Sequence, residues 1–215
     1  MITHHLSDKL LMAYSTGTLP EAFNLAVATH IAMCDECRAR LASFDAVGGA
    51  VLEEVSEPSV TMRADALSAT LARVKAQPPV QRKVAVPPKD DVIPAPLRDY
   101  LGADGEIRWR SLGGGAKQMV LETSEHATAR LLFIPAGTAV PDHTHGGLEL
   151  TLVLQGAFAD EHDRFGRGDV EIADEETHHQ PVAEMGEDCI CLAVTDAPLK
   201  FRGLIPRLAQ PFLGI

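Results

Sequence analysis

The sequence predicts an α+β multidomain architecture: a small all-α helical domain followed by an all-β barrel of the jelly-roll type. Three features carry that expectation. Apolar residues recur at intervals of three and four up to about residue 76. A proline-rich interval follows. Beyond it, short β-branched and aliphatic runs alternate with Gly, Pro and Asp turns. The boundaries read as 1–76, 77–96 and 97–215.

The helices are expected in this order. Ser7 caps a first helix carrying Leu10, Leu11 and Tyr14, and Gly17 stops it. Pro20 suits the first turn of a second, on which Phe23, Val27, His30 and Ile31 share a face. A third runs from near Asp35 through Leu41, Phe44 and Val47, and Gly48–Gly49 should weaken or bend it. After Pro58, Thr61 caps a fourth that carries Leu67, Leu71 and Val74. Helices this short enclose a thin core, which a bound metal would help to hold together.

From Pro78 the run PPVQRKVAVPPKDDVIPAP holds six prolines and no periodic pattern. Proline fixes φ and removes a backbone donor, so the run predicts an extended linker between two independently folded units. The strands expected after it are Gln118–Leu121, Ala129–Phe133, Leu148–Leu154, Ala157–Ala159, Val170–Ile172 and Cys189–Val194.

The formal net charge is −11, and residues 97–215 supply most of it, with 19 acidic against 10 basic side chains. Replacing phosphate counterions needs a basic surface, so direct nucleic-acid binding is not expected. No apolar run approaches the roughly 18 residues that cross a bilayer, and the N-terminus lacks a secretory pattern. A cytoplasmic protein without a membrane partner is the expectation. The four cysteines fall as two pairs, Cys34/Cys37 and Cys189/Cys191. In a reducing compartment such pairs serve metal ligation or redox chemistry more often than structural disulfides.

His30, Cys34 and Cys37 form His-x3-Cys-x2-Cys. On a helix these positions span an arc of about 60°, close enough to converge on one ion. Two thiolates and an imidazole suit tetrahedral zinc, which needs a fourth donor. His4 and His5 are available at the far end of the domain. The alternative is a dithiol of the thioredoxin kind, although no strand precedes it. The segment HHLSDKLLMAYSTGTLPEAFNLAVATHIAMCDECRARL closely resembles the zinc-binding domain of ChrR-type anti-sigma factors. That resemblance implies that the second histidine of the leading pair, His5, is the fourth zinc ligand, with His4 its possible substitute. It also implies a partner, a sigma factor of the extracytoplasmic-function group, kept from RNA polymerase core.

Gly137, His143, His145, Glu149 and Gly156 follow the spacing G-x5-H-x-H-x3-E-x6-G, the first motif of the cupin barrels. His143 and His145 project to one face of a strand, and Glu149 can return to that face after the Gly146–Gly147 turn. Two imidazoles and a carboxylate suit Zn, Mn, Fe or Ni. A looser second motif, Phe165-Gly-Arg-Gly-Asp169, precedes His178-His179-Gln-Pro-Val and supplies a third histidine. The register favours His179, with His178 its neighbour. A metal-free pocket is the alternative. Cys189 and Cys191, two apart on a strand, are core residues or a redox-sensitive pair near the barrel interior.

The full expectation is a small all-α zinc-binding helical domain (His5, His30, Cys34, Cys37) joined to an all-β cupin barrel (His143, His145, Glu149, His179). The resemblance to ChrR-type proteins continues through the second domain. It implies an anti-sigma factor, not an enzyme, that releases its sigma factor on an oxidative signal such as singlet oxygen or an organic peroxide. The competing reading is a cupin metalloenzyme, a dioxygenase or isomerase, with an accessory helical zinc domain. A third is a metal-dependent small-molecule sensor with a different partner.

Overall fold

The computed structural model describes residues 1–55, 61–78, 92–102, 105–201 and 203. Pro58, most of the linker and the C-terminal end of the barrel region therefore lie outside the described residues. Among the described residues five helices precede twelve strands: α1 Asp8–Ser15, α2 Glu21–Met33, α3 Asp35–Val55, α4 Ala66–Ala76, α5 Ala95–Arg98, β1 Arg110–Gly113, β2 Ala116–Leu121, β3 Thr128–Ile134, β4 His143–Thr144, β5 Glu149–Gln155, β6 Ala157–Ala159, β7 Arg164–Gly166, β8 Val170–Ala173, β9 His178–His179, β10 Val182–Ala183, β11 Cys189–Thr195 and β12 Lys200–Phe201.

Local signals explain most helix ends. Ser7 Oγ accepts from Leu10 N at 3.4 Å and opens α1. Gly17, at φ +67, follows its end. Pro20 stands just before α2. Cys34 is extended, with φ −115 and ψ 107, so the chain breaks between α2 and α3. His30, Cys34 and Cys37 therefore converge across a helix junction rather than along one helix. Gly48 and Gly49 lie inside an uninterrupted α3. One further expectation fails. Thr61 caps nothing: residues 61–63 are non-helical, a turn follows, and α4 begins after Asp65. The linker also ends early, since α5 begins at Ala95.

The main sheet has the order β1-β2-β3-β11-β5-β8, with antiparallel pairing throughout. Two three-stranded sheets, β10-β6-β7 and β12-β4-β9, complete the barrel. The period of two sorts the side chains of its central strands. On β3, β5 and β11, Leu131, Leu150, Leu152, Leu154, Leu192 and Val194 are fully buried in the same apolar cluster as α1, α2 and α3. The alternate residues Arg130, Leu132, Thr151, Cys189, Cys191 and Ala193 face the barrel interior. Both faces of the sheet are covered, which is why β5 is buried almost end to end.

Helix α2 is the shared element. Seven of its 13 residues are buried, and it packs on β11, β5 and β3 as well as on α1, α3 and α5. The helical region and the barrel thus share one core, where the proline-rich interval alone predicts two separate ones. Polar ties reinforce the junction: Glu21 accepts from Tyr100 Oη at 3.0 Å and from Ser124 N at 2.8 Å. By contrast, α4 buries no residue, and the distal part of α3 exposes Val47, Val51 and Leu52.

Candidate metal centres

The first cluster gathers His5, His30, Cys34 and Cys37, whose ligand atoms all lie within 4.8 Å of one another. His5 Nδ1 is 3.4 Å from Cys34 Sγ and 3.7 Å from Cys37 Sγ. Ligands on a tetrahedral zinc, with Zn–S and Zn–N bonds near 2.3 and 2.1 Å, stand about 3.6 Å apart, so the spacing fits that ion. The outer nitrogen of His5, Nε2, lies 3.4 Å from Glu36 Oε2. A carboxylate there fixes the ring and leaves Nδ1 for the cluster.

His30 is fully buried and neither ring nitrogen makes a well-formed hydrogen bond, an expensive arrangement unless another group completes it. Burial pulls its pKa down to about 4, against the nearby Gly168 carbonyl, which favours the proton. The ring is therefore neutral near pH 7 and free to donate a lone pair. Burial pushes the Cys37 thiol up, so metal ligation there releases a proton. His4 is turned elsewhere. Its Nε2 lies 3.0 Å from Asp163 Oδ2 and its ring sits 4.5 Å from that of Phe165.

The second cluster lies inside the barrel. Strands β4 and β9 pair so that His143 faces His179, and the Nε2 atoms of His143 and His145 stand 3.3 and 3.2 Å from that of His179. Nitrogens on a tetrahedral ion at about 2.1 Å stand roughly 3.4 Å apart. The outer nitrogens fix the rings. His143 Nδ1 donates to the Pro141 carbonyl at 2.8 Å, and His179 Nδ1 lies 2.8 Å from Glu171 Oε1 and 3.1 Å from Asp160 Oδ2. Rings so held direct their Nε2 atoms at one another, an arrangement that a cation would complete.

Glu149 stands beside this triad rather than among its three Nε2 atoms. Its Oε2 is 3.4 Å from His145 Nδ1, and Thr151 Oγ1 donates to its Oε1 at 3.0 Å. Burial would raise its pKa, but His145, His143 and Thr151 outweigh that and hold it below its ordinary value. Burial lowers His143. Burial also pulls on His179, but its bond to Glu171, with Asp160 and Glu149 beyond, lifts it to about 9. His178 points outward, its Nε2 2.7 Å from Asp142 Oδ1.

Cys189 and Cys191 are buried free thiols that line the same cavity, and their mutual hydrogen bond, then burial, puts Cys191 well above its ordinary pKa. Sequence reasoning missed Glu171 and Asp160. The available signal was Val170-Glu171-Ile172, in which the acid is buried and the isoleucine faces out. Of the other polar residues near the second motif, Glu161 Oε2 accepts from Gln180 N at 3.1 Å, and Arg164 holds Glu184 through Nε and Nη2 at 2.7 and 2.8 Å. No described helix is long and apolar enough to cross a membrane.

Residues 98–198 match the family model of the ChrR cupin-like domain. Over 215 residues the chain is 57% identical to the anti-sigma-E factor ChrR of Cereibacter sphaeroides, covering all of this chain and 99% of that one. It also resembles the crystal structure of Rhodobacter sphaeroides SigE in complex with the anti-sigma ChrR. There the TM-score is 0.79 at 55% identity, with 91% of this chain and all of the other covered.

Proposed function

We propose, from the premise that this chain belongs to the ChrR family of anti-sigma factors, that residues 1–76 sequester an extracytoplasmic-function sigma factor until a signal read in the cupin barrel releases it. The chain is a regulator rather than an enzyme. One observation carries the sequestration reading: exposed apolar side chains on α3 (Val47, Val51 and Leu52) and on α4 (Leu67, Leu71 and Val74) that nothing among the described residues covers. Grouped apolar side chains open to solvent mark an interaction site, and a sigma factor working in the cytoplasm is the partner the family supplies. The relative named above is itself an anti-sigma factor, and its complex holds SigE.

His5, His30, Cys34 and Cys37 would hold zinc as a structural clamp, joining the N-terminal segment to the α2–α3 junction. His143, His145 and His179, with Glu149 adjacent, would hold a divalent ion, of which zinc, manganese, iron and nickel all suit three imidazoles. Such an ion supplies Lewis acidity or a redox-active centre. The chain's own residues orient the ligands: Glu171 and Asp160 hold His179, and the Pro141 carbonyl holds His143. An oxidant, with singlet oxygen and organic peroxide as candidates, would act at this site or on the Cys189/Cys191 pair. It can release the partner only by favouring the state of lower sigma affinity.

The test is co-purification with a candidate sigma factor, with metal content measured on the same sample. Capture of the sigma factor with metal bound is expected. A stable, metal-loaded chain that leaves the sigma factor free to bind polymerase core would overturn the reading.

A further inference from the structure

The barrel interior is larger than a metal triad requires. A cavity of about 670 Å³ reaches from His143 and Glu149 past Leu132, Ile134, Phe158 and Phe201. Volumes of this order take organic molecules. Arg130 stands in its wall. On the sheet it shares a row with Ala193, Thr151 and Glu171, and Ala193 contributes only a methyl group beside it. The guanidinium therefore borders open volume.

Arg130 is 6% exposed, and the one hydrogen bond of its side chain among the described residues runs from Nη1 to the neutral Gln118 Oε1 at 3.3 Å. No described carboxylate forms an ion pair with it. Burial lowers its pKa, and only the charge of Glu149 across the cavity opposes that. A guanidinium carries five N–H donors in a planar fork, and burying it without an anionic partner is costly. The group that completes such a fork is a carboxylate, bound through two parallel hydrogen bonds. The walls beyond are mostly hydrocarbon, although Glu149 and Glu171 also line the cavity.

We propose that this cavity binds a monocarboxylate with an apolar body, of the medium-chain fatty-acid class, its carboxylate paired with Arg130 and its chain lying against Leu132, Ile134 and Phe158. The seat uses no metal ligand. It adds a ligand class to the regulator reading without resting on it, because binding is measured on the full chain alone.

The experiment is isothermal titration calorimetry with decanoate, decanol and acetate against the wild type, Arg130→Gln and Arg130→Lys. Decanoate should bind the wild type one to one. Decanol, which lacks the charge, and acetate, which lacks the body, should each bind at least tenfold more weakly. Arg130→Gln should lose at least tenfold in decanoate affinity, and Arg130→Lys should recover part of it. Equal binding of decanoate and decanol, no decanoate binding at millimolar concentration, or decanoate affinity unchanged in Arg130→Gln would each overturn the proposal. If Arg130→Gln does not fold by circular dichroism, the wild-type ligand series and Arg130→Lys decide it.

Discussion

The backbone N–H of His4 donates to Asp169 Oδ1 at 2.9 Å, across 165 residues of sequence. The same oxygen accepts the N–H of Thr3 at 2.6 Å, Asp169 Oδ2 accepts that of Gly166 at 2.9 Å, and the His4 carbonyl accepts from Val170 N at 3.3 Å. The segment that presents His5 is thereby stitched to the start of β8, whose Glu171 holds His179. A short route of bonded neighbours connects the two candidate metal centres.

Asp169→Ala should cost about 2–3 kcal/mol, because three part-buried N–H groups lose a charged, buried acceptor. Burial would raise the Asp169 pKa, but the donors of His4, Thr3 and Gly166 outweigh it and hold the pKa down. Its stabilisation is therefore fully present above the ordinary carboxylate value of about 3.9 and is lost as pH falls through the depressed native value. Urea unfolding across that range should show a steeper acid loss in the wild type than in Asp169→Ala. Identical pH profiles would contradict the assignment.

His5→Ala, Cys34→Ser and Cys37→Ser should each remove about one zinc per chain, whereas His4→Ala should keep it and only loosen the junction. Elemental analysis of dialysed protein separates these outcomes. Zinc loss in His4→Ala alone would reverse the ligand assignment.

Glu171→Gln should weaken the cupin metal by roughly 10–100-fold, although it is proposed as no ligand, because it orients His179. Competition with a graded chelator measures this. His178→Ala, which loses only an outward pair with Asp142, should titrate like the wild type.

Leu71→Glu and Val74→Glu should leave the melting temperature nearly unchanged, since both side chains are exposed, within about 0.5 kcal/mol. Sigma binding should nevertheless fall at least tenfold, read by surface plasmon resonance. Full affinity in both variants would remove α4 from the contact surface.

A fragment ending before Pro78 should still bind the sigma factor, yet melt well below the full chain even with zinc. The reason is α2: without the sheet its second apolar face is open to water. Equal melting of fragment and full chain would mean that the shared core contributes little.

Much of this was legible in the sequence because the signals are local. Ser7, Pro20 and Gly17 mark helix ends through backbone chemistry that needs no tertiary context, and the six expected strands all form, most extended by a residue or two. His5, His30, Cys34 and Cys37 also come together, as do His143, His145 and His179, whereas Glu149, after the Gly146–Gly147 turn, stands beside the triad. What the sequence hid is long-range. The choice of His5 over His4 depends on Asp163 and Phe165, both about 160 residues away. Burial of α2 on two sides looks, in one dimension, like an ordinary apolar helix. Glu171, Asp160 and Arg130 carry no motif, and only the pairing of strands brings them to the cavity.

Helix α3 is a lever. Its N-terminal end is fixed at Cys37 and Leu41, and Ser15 ties it once more at Asp45 with a 2.5 Å hydrogen bond. Beyond Asp45, no residue of the helix whose side chain is described is buried. At 1.5 Å per residue the stretch from Asp45 to Val55 is ~15 Å long, so a tilt of about 10° at its held end would carry its tip through roughly 3 Å. A small change where the helix is held would thus arrive enlarged at Val51 and Leu52.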